Sequence, residues 1–121
     1  MNHVKYLVDH PRLNLAVIVC YMILIFVGSS VEADSIPDGA HETSTPLHVL
    51  EYAVLGFLLM PYVMRWPHPI LLAVGLASLY GVSDEVHQMF VPGRDPSVID
   101  VLADFIGSCA GAFVSWRLGR L

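Results

Sequence analysis

The sequence predicts an all-α integral membrane protein, a four-helix bundle with both termini on the cytoplasmic side, and three observations carry that prediction. Hydrophobic residues make up 55% of the 121 and charged residues 14%, against about 45–50% and about 25% in ordinary soluble domains. Mean hydropathy is +0.63. The apolar residues also fall into four runs, each close to the roughly 20 helical residues that a hydrocarbon core requires. The same composition excludes other classes. Apolarity this high is the opposite of what keeps a chain disordered. Six Lys/Arg and a net charge of −5 leave no basic stripe for nucleic acid. The two cysteines, Cys20 and Cys109, each lie inside an apolar run and make no disulfide framework. Residues 1–121 therefore read as a single transmembrane domain, with no low-complexity segment and no internal repeat.

Span one covers residues 13–30 and carries no charge. Lys5 and Arg12, the apolar run and then Val31-Glu32-Ala33 also have the ingredients of a secretory signal. The apolar stretch is at the long end of the signal range, so a retained helix is expected. Span two, residues 46–64, opens on Pro46, in the first turn, where a helix tolerates proline best. Span three runs over about 68–90 and span four over 97–116. An acidic loop (31–45), a turn at Arg65-Trp66-Pro67 and the stretch Val91-Pro92-Gly93-Arg94-Asp95-Pro96 connect them. Met60 and Met64 read as packing residues. Tyr62, Trp66 and Trp116 read as an interfacial aromatic belt.

Orientation follows from the cations. Lys5 and Arg12 precede span one, Arg65 separates spans two and three, and Arg117 and Arg120 follow span four. With both termini inside, five of the six cationic residues are cytoplasmic and only Arg94 is outside. This places the chain as a multi-pass membrane protein with both termini in the cytoplasm. Ten of the eleven acids, all but Asp9, then lie in outer loops or the outer ends of spans.

Ionisable groups within a span are costly and mark functional sites by default. His48, Glu51 and Tyr52 stand at i, i+3 and i+4 on span two. Tyr80, Asp84, His87 and Gln88 form a stripe on span three, with Glu85 about a quarter turn away, since each residue advances ~100°. Asp100 and Asp104 are one turn apart on span four, and Gly107 and Gly111 extend their face as a G-x-x-x-G that permits close helix approach. All three stripes are expected at one membrane level, facing the extracytoplasmic side.

Carboxylates crowded together cannot all ionise without a cation, a proton or an arginine among them. His48, Glu51 and Asp84 are candidate ligands to a divalent metal, with zinc suited to histidine and carboxylate donors. Alternatively Arg94, on a Pro-Gly turn, grips a phosphate or carboxylate through its planar fork. Gln88, Tyr52 and Ser97 then join it in binding, while Glu85, Asp100, Asp104 and His87 handle a proton as catalytic groups. A third reading is a polar network that only holds helices together.

The motif residues resemble the VanZ-like family of bacterial membrane proteins. They are His48…Glu51-Tyr52-x-x-Leu55-Gly56, then Asp84-Glu85-x-x-Gln88-x-x-x-Pro92-Gly93-Arg94-x-x-Ser97-x-x-Asp100-x-x-x-Asp104-x-x-Gly107-x-x-x-Gly111. The resemblance covers about residues 46–112. It implies a small multi-helix envelope protein, related to a founding member that confers resistance to the glycopeptide teicoplanin. It marks Glu85, Gln88, Arg94, Asp100 and Gly107 as motif positions. Asp104 is a departure, because many members carry asparagine there, and it adds an acid to the site. The functional expectation is recognition or processing of an anionic lipid or lipid-linked cell-wall intermediate. A proton-coupled carrier and an assembly factor are the alternatives, and a homodimer is the expected assembly.

Overall fold

A computed structural model describes residues 2–30, 44–93 and 95–121. Five helices follow one another: α1 (His3–Asp9), α2 (Pro11–Ser29), α3 (Ser44–Val63), α4 (Pro69–Gln88) and α5 (Val98–Gly119). Among the described residues there is no strand, and α2 to α5 are each long and apolar enough to span a membrane. The four long helices match the four expected spans to within a few residues at each end. The short α1 was not expected. Asn2 starts it by accepting from the Lys5 amide at 2.9 Å, and His10 with Pro11 ends it. A residue before proline is pushed out of the helical region, while the proline itself suits the first turn of the next helix.

The long helices run alternately up and down. At one end Asn2 Nδ2 donates to the Leu118 carbonyl at 2.8 Å, and the Arg65 guanidinium donates to the Val8 carbonyl. At the other end Thr45 Oγ1 donates to Asp100 at 3.2 Å, and the Ser97 amide donates to Glu85 at 3.0 Å. The chain turns between α3 and α4 through His68, which adopts a left-handed conformation (φ 55°) just before Pro69.

The tightest seam joins α3 to α5, and small residues cause it. A Cβ on Gly107 would overlap the Val49 carbonyl, one on Gly111 the Ala53 carbonyl, and one on Gly56 the Ser108 backbone. Backbones that touch directly give membrane helices close van der Waals packing where no hydrophobic force between helices is available. The expected close approach along Gly107 and Gly111 is therefore observed. Around this pair the core closes with Tyr52, Leu55, Met60, Val63, Ala73, Ala77 and Ala112.

Helix α2 packs against α3 and α4 and does not meet α5. Hydrogen bonds to backbone carbonyls hold it. Asn14 Nδ2 donates to Leu58 at 2.9 Å, in the turn before Pro61, which removes a donor from the α3 ladder. Tyr21 donates to the Glu51 carbonyl at 2.7 Å, and Tyr80 donates to the Met22 carbonyl at 2.6 Å. Its outer face, with Leu13, Val19, Ile23, Leu24 and Val27, stays exposed and apolar, as suits a helix turned toward lipid.

Candidate functional site

The N-terminal turns of α3 and α5 and the C-terminal turn of α4 meet at one end of the bundle. Backbone contact at Val49–Gly107 fixes the register there, and it sets His48 against Asp104. His48 Nδ1 lies 2.8 Å from Asp104 Oδ1. An ionised carboxylate accepts only, so Nδ1 donates to Asp104, and Nε2 is the nitrogen left to carry a second proton or to offer its lone pair. That Nε2 faces Asp100 Oδ2 at 3.8 Å, beyond direct hydrogen-bonding distance. Thr45 donates to the other oxygen of Asp100.

Glu85 reaches the same place from α4. Its Oε2 accepts from the Ser97 amide, which fixes the start of α5, while its Oε1 is buried and has no hydrogen-bond partner. One donor atom each from His48, Glu85 and Asp100 lies within 4.8 Å of the others. Asp104 sits behind His48, fully buried at 0% exposure, with its Oδ2 also lacking a hydrogen-bond partner. Gly81 makes the room for it, since a Cβ at that position would stand 2.7 Å from Asp104 Oδ2.

The other expected site residues distribute around this core. Asp84 and Gln88 are buried on α4 close by. Tyr52 is fully buried one turn below His48, its ring parallel to the imidazole with centroids 6.3 Å apart. Ser97 takes part through its amide, and its side chain makes no cap bond. Glu51 and Asp84 do not belong to the three-donor group, in which Glu85 and Asp100 stand with His48 instead. The helical angle explains this: at ~100° per residue Glu51 is about 60° round α3 from His48, and Asp84 is a full ~100° from Glu85.

His87 is the residue that the fold places elsewhere. Two positions beyond Glu85 means ~200° around the helix, so it faces α2. There its ring stacks on Phe26 at 4.4 Å and makes long 3.4 Å contacts with Ser29 and Ser30. Arg94 lies outside the described residues. Its neighbours Gly93 and Asp95 are exposed, with Gly93 at a positive φ of 75°.

Sequence reading missed two contributors. Thr45 and Gly81 reveal themselves only through their neighbours across the bundle. Tyr80, a member of the polar stripe, also ties α4 to the Met22 carbonyl of α2. A phenol near the end of an apolar run is the one sequence signal that could have suggested such a tie.

Chemically, the assembly offers one oriented imidazole nitrogen and several carboxylate oxygens at a nearly dry helix junction. Both ion pairs found among the described residues join His48 to these acids, one to Asp100 and one to Asp104. The arrangement is suited to holding a cation or a shared proton, and on its own it repels anions.

A comparison with family models matches residues 14–119 to the family described as VanZ/LLP1. No curated protein and no solved structure matches the chain. The chain belongs to the VanZ/LLP1 family and, with its four long apolar helices, is a multi-pass membrane protein.

Proposed function

We propose that this member of the VanZ/LLP1 family lies in the bacterial cytoplasmic membrane with its acidic end outward, where it recognises or processes an anionic lipid or a lipid-linked cell-wall intermediate. The observation that supports this reading most is the convergence of three helices on a polar site at one end, with a reachable rim. The side chain of Asp100 is 13% exposed while Asp104 behind it is sealed. A lipid headgroup could meet the site at that rim while its chains stay among the exposed apolar side chains outside. The outward orientation rests on the cluster of Lys5, Arg12, Arg65, Arg117 and Arg120 at the opposite end.

In this reading Arg94 supplies the planar cationic fork for the phosphate, because the carboxylates alone would repel it. Glu85 anchors the start of α5, and Asp100 with His48 handles a proton or counter-charge beside the bound group. A proton-coupled carrier is less well supported. Among the described residues every buried carboxylate and histidine lies at the acidic end, and the buried polar side chains of the opposite half are Asn14 and Ser115, neither of which titrates.

Retention of a polyprenyl diphosphate by the purified full chain, measured by native mass spectrometry with phosphatidylglycerol as the comparison lipid, tests the proposal. Arg94→Gln should reduce retention of the diphosphate about tenfold, corresponding to one lost charge-assisted contact of ~1.4 kcal/mol, whereas Glu85→Gln and Asp100→Asn, which remove negative charge facing the phosphate, should raise it. Equal retention by the wild type and all three variants would sink the reading. If the intermediate is a glycopeptide target, the same variants should abolish any glycopeptide-resistance phenotype that the wild type confers on its host.

A further inference from the structure

We propose that His48, Glu85 and Asp100 form a binding site for a first-row divalent metal ion of the zinc type, with Asp104 as the residue that orients His48. Two independent observations carry the assignment. The first is the donor geometry. An imidazole nitrogen and two carboxylate oxygens from three different helices stand within 4.8 Å of one another, with Nε2 of His48 3.8 Å from Asp100 Oδ2. Ligand atoms around a tetrahedral ion with bonds of ~2.0–2.1 Å are about 3.3–3.4 Å apart. Small side-chain rotations close that difference. The second is Glu85 Oε1, which belongs to a side chain only 5% exposed and has no hydrogen-bond partner. Burying an unpaired carboxylate oxygen is costly, and a metal ion at this junction removes the cost.

Asp104 adds the expected outer shell. Metal-bound histidines donate their second ring N–H to a carboxylate or carbonyl, which fixes the tautomer and aims the other nitrogen. His48 does this toward Asp104, and its free nitrogen points at Asp100. Three protein donors leave a fourth position open, the pattern of a site that also accepts water or a ligand group. Two further carboxylates of the region, Glu51 and Asp84, are outside the group, and the titratable side chains around it are Glu51, Asp84 and Asp104. The site is a property of this chain's own residues and stands or falls independently of any lipid substrate.

Metal analysis of the full chain, stripped with chelator and exchanged into detergent with excess Zn²⁺, decides the matter. One equivalent of Zn²⁺ should survive gel filtration, and Co²⁺ in its place should give the visible absorption of a low-coordinate site. His48→Gln, Glu85→Gln and Asp100→Asn should each abolish retention. Asp104→Asn should keep one site but weaken it by about 10–100-fold, as loss of an orienting partner does. Asp95→Asn, an exposed position beyond the site, should bind like the wild type. Circular dichroism confirms that each variant is helical. A wild type that retains no ion overturns the proposal, and so does retention that survives Asp100→Asn through histidines at the opposite end. Loss of the ion in Glu51→Gln with retention in Glu85→Gln would move the site to another set of donors and overturn it equally.

Discussion

The two ends of the bundle use polar residues in opposite ways. At the cationic end, side chains reach for backbone. Asn2 accepts from one helix start and donates to the end of another, Arg65 donates to the Val8 carbonyl, and Arg120 lies 4.8 Å over the Trp116 ring. Helix termini always leave such carbonyls and amides unpaired, so these contacts complete the helices and do little else. At the acidic end, buried side chains reach for one another, and two carboxylate oxygens are left without hydrogen bonds. The cationic half also leaves buried atoms without hydrogen bonds, the Asn14 amide oxygen and the Ser115 hydroxyl, but these are neutral groups, and a carboxylate oxygen is the costlier one to bury unpaired. The contrast teaches that polar side chains finish helix ends at one end and gather buried charge between helices at the other.

The comparison can be broken most drastically by destroying the seam on which the acidic end depends. Gly111→Leu drives a side chain into the Ala53 carbonyl. Overpacking of an interior typically costs about 1–3 kcal/mol and more where the obstacle is backbone. The variant should lose its cooperative unfolding transition in SDS–detergent mixtures, whereas Arg120→Gln should leave that transition within ~0.5 kcal/mol of wild type.

A sharper perturbation leaves the seam intact. Gly81→Ala places a methyl against Asp104 and should destabilise by about 1–3 kcal/mol in the same measurement. Adding Asp104→Ser should recover most of that loss, because the clash is with the longer side chain. A double mutant no better than the sum of the singles would show that the two residues are not coupled. At the other end Asn2→Ala should cost only about 1 kcal/mol, the usual value of an N-cap. An Asn2 effect as large as that of Gly81 would erase the distinction between the ends.

The fold was largely readable from the sequence, because length, apolarity and cation placement are one-dimensional properties. Four spans and their order follow from them directly. The site was readable only as a level in the bundle. Helical periodicity gives each span a polar face, but it does not state how that face is rotated toward its neighbours. The seam at Val49–Gly107 and Ala53–Gly111 sets that rotation. It brings Asp100 and Asp104 to His48, while Gly81 against Asp104 and the Tyr80 bond to Met22 hold α4 so that Glu85 meets them and His87 faces Phe26. The G-x-x-x-G spacing announced a close contact without naming its partner. The short α1 escaped because its seven residues are too few for any periodicity to stand out.

The separation of His48 and Asp104 along the chain also bears on how the protein is made. The two are 56 residues apart and on different helices. At about 5–20 residues per second, a ribosome needs roughly 3–11 s to travel that distance. During that interval α3 has neither the glycine seam nor the carboxylate that positions its histidine. Helix α5 supplies both at once, so until it emerges His48 has no Asp104 to hold it.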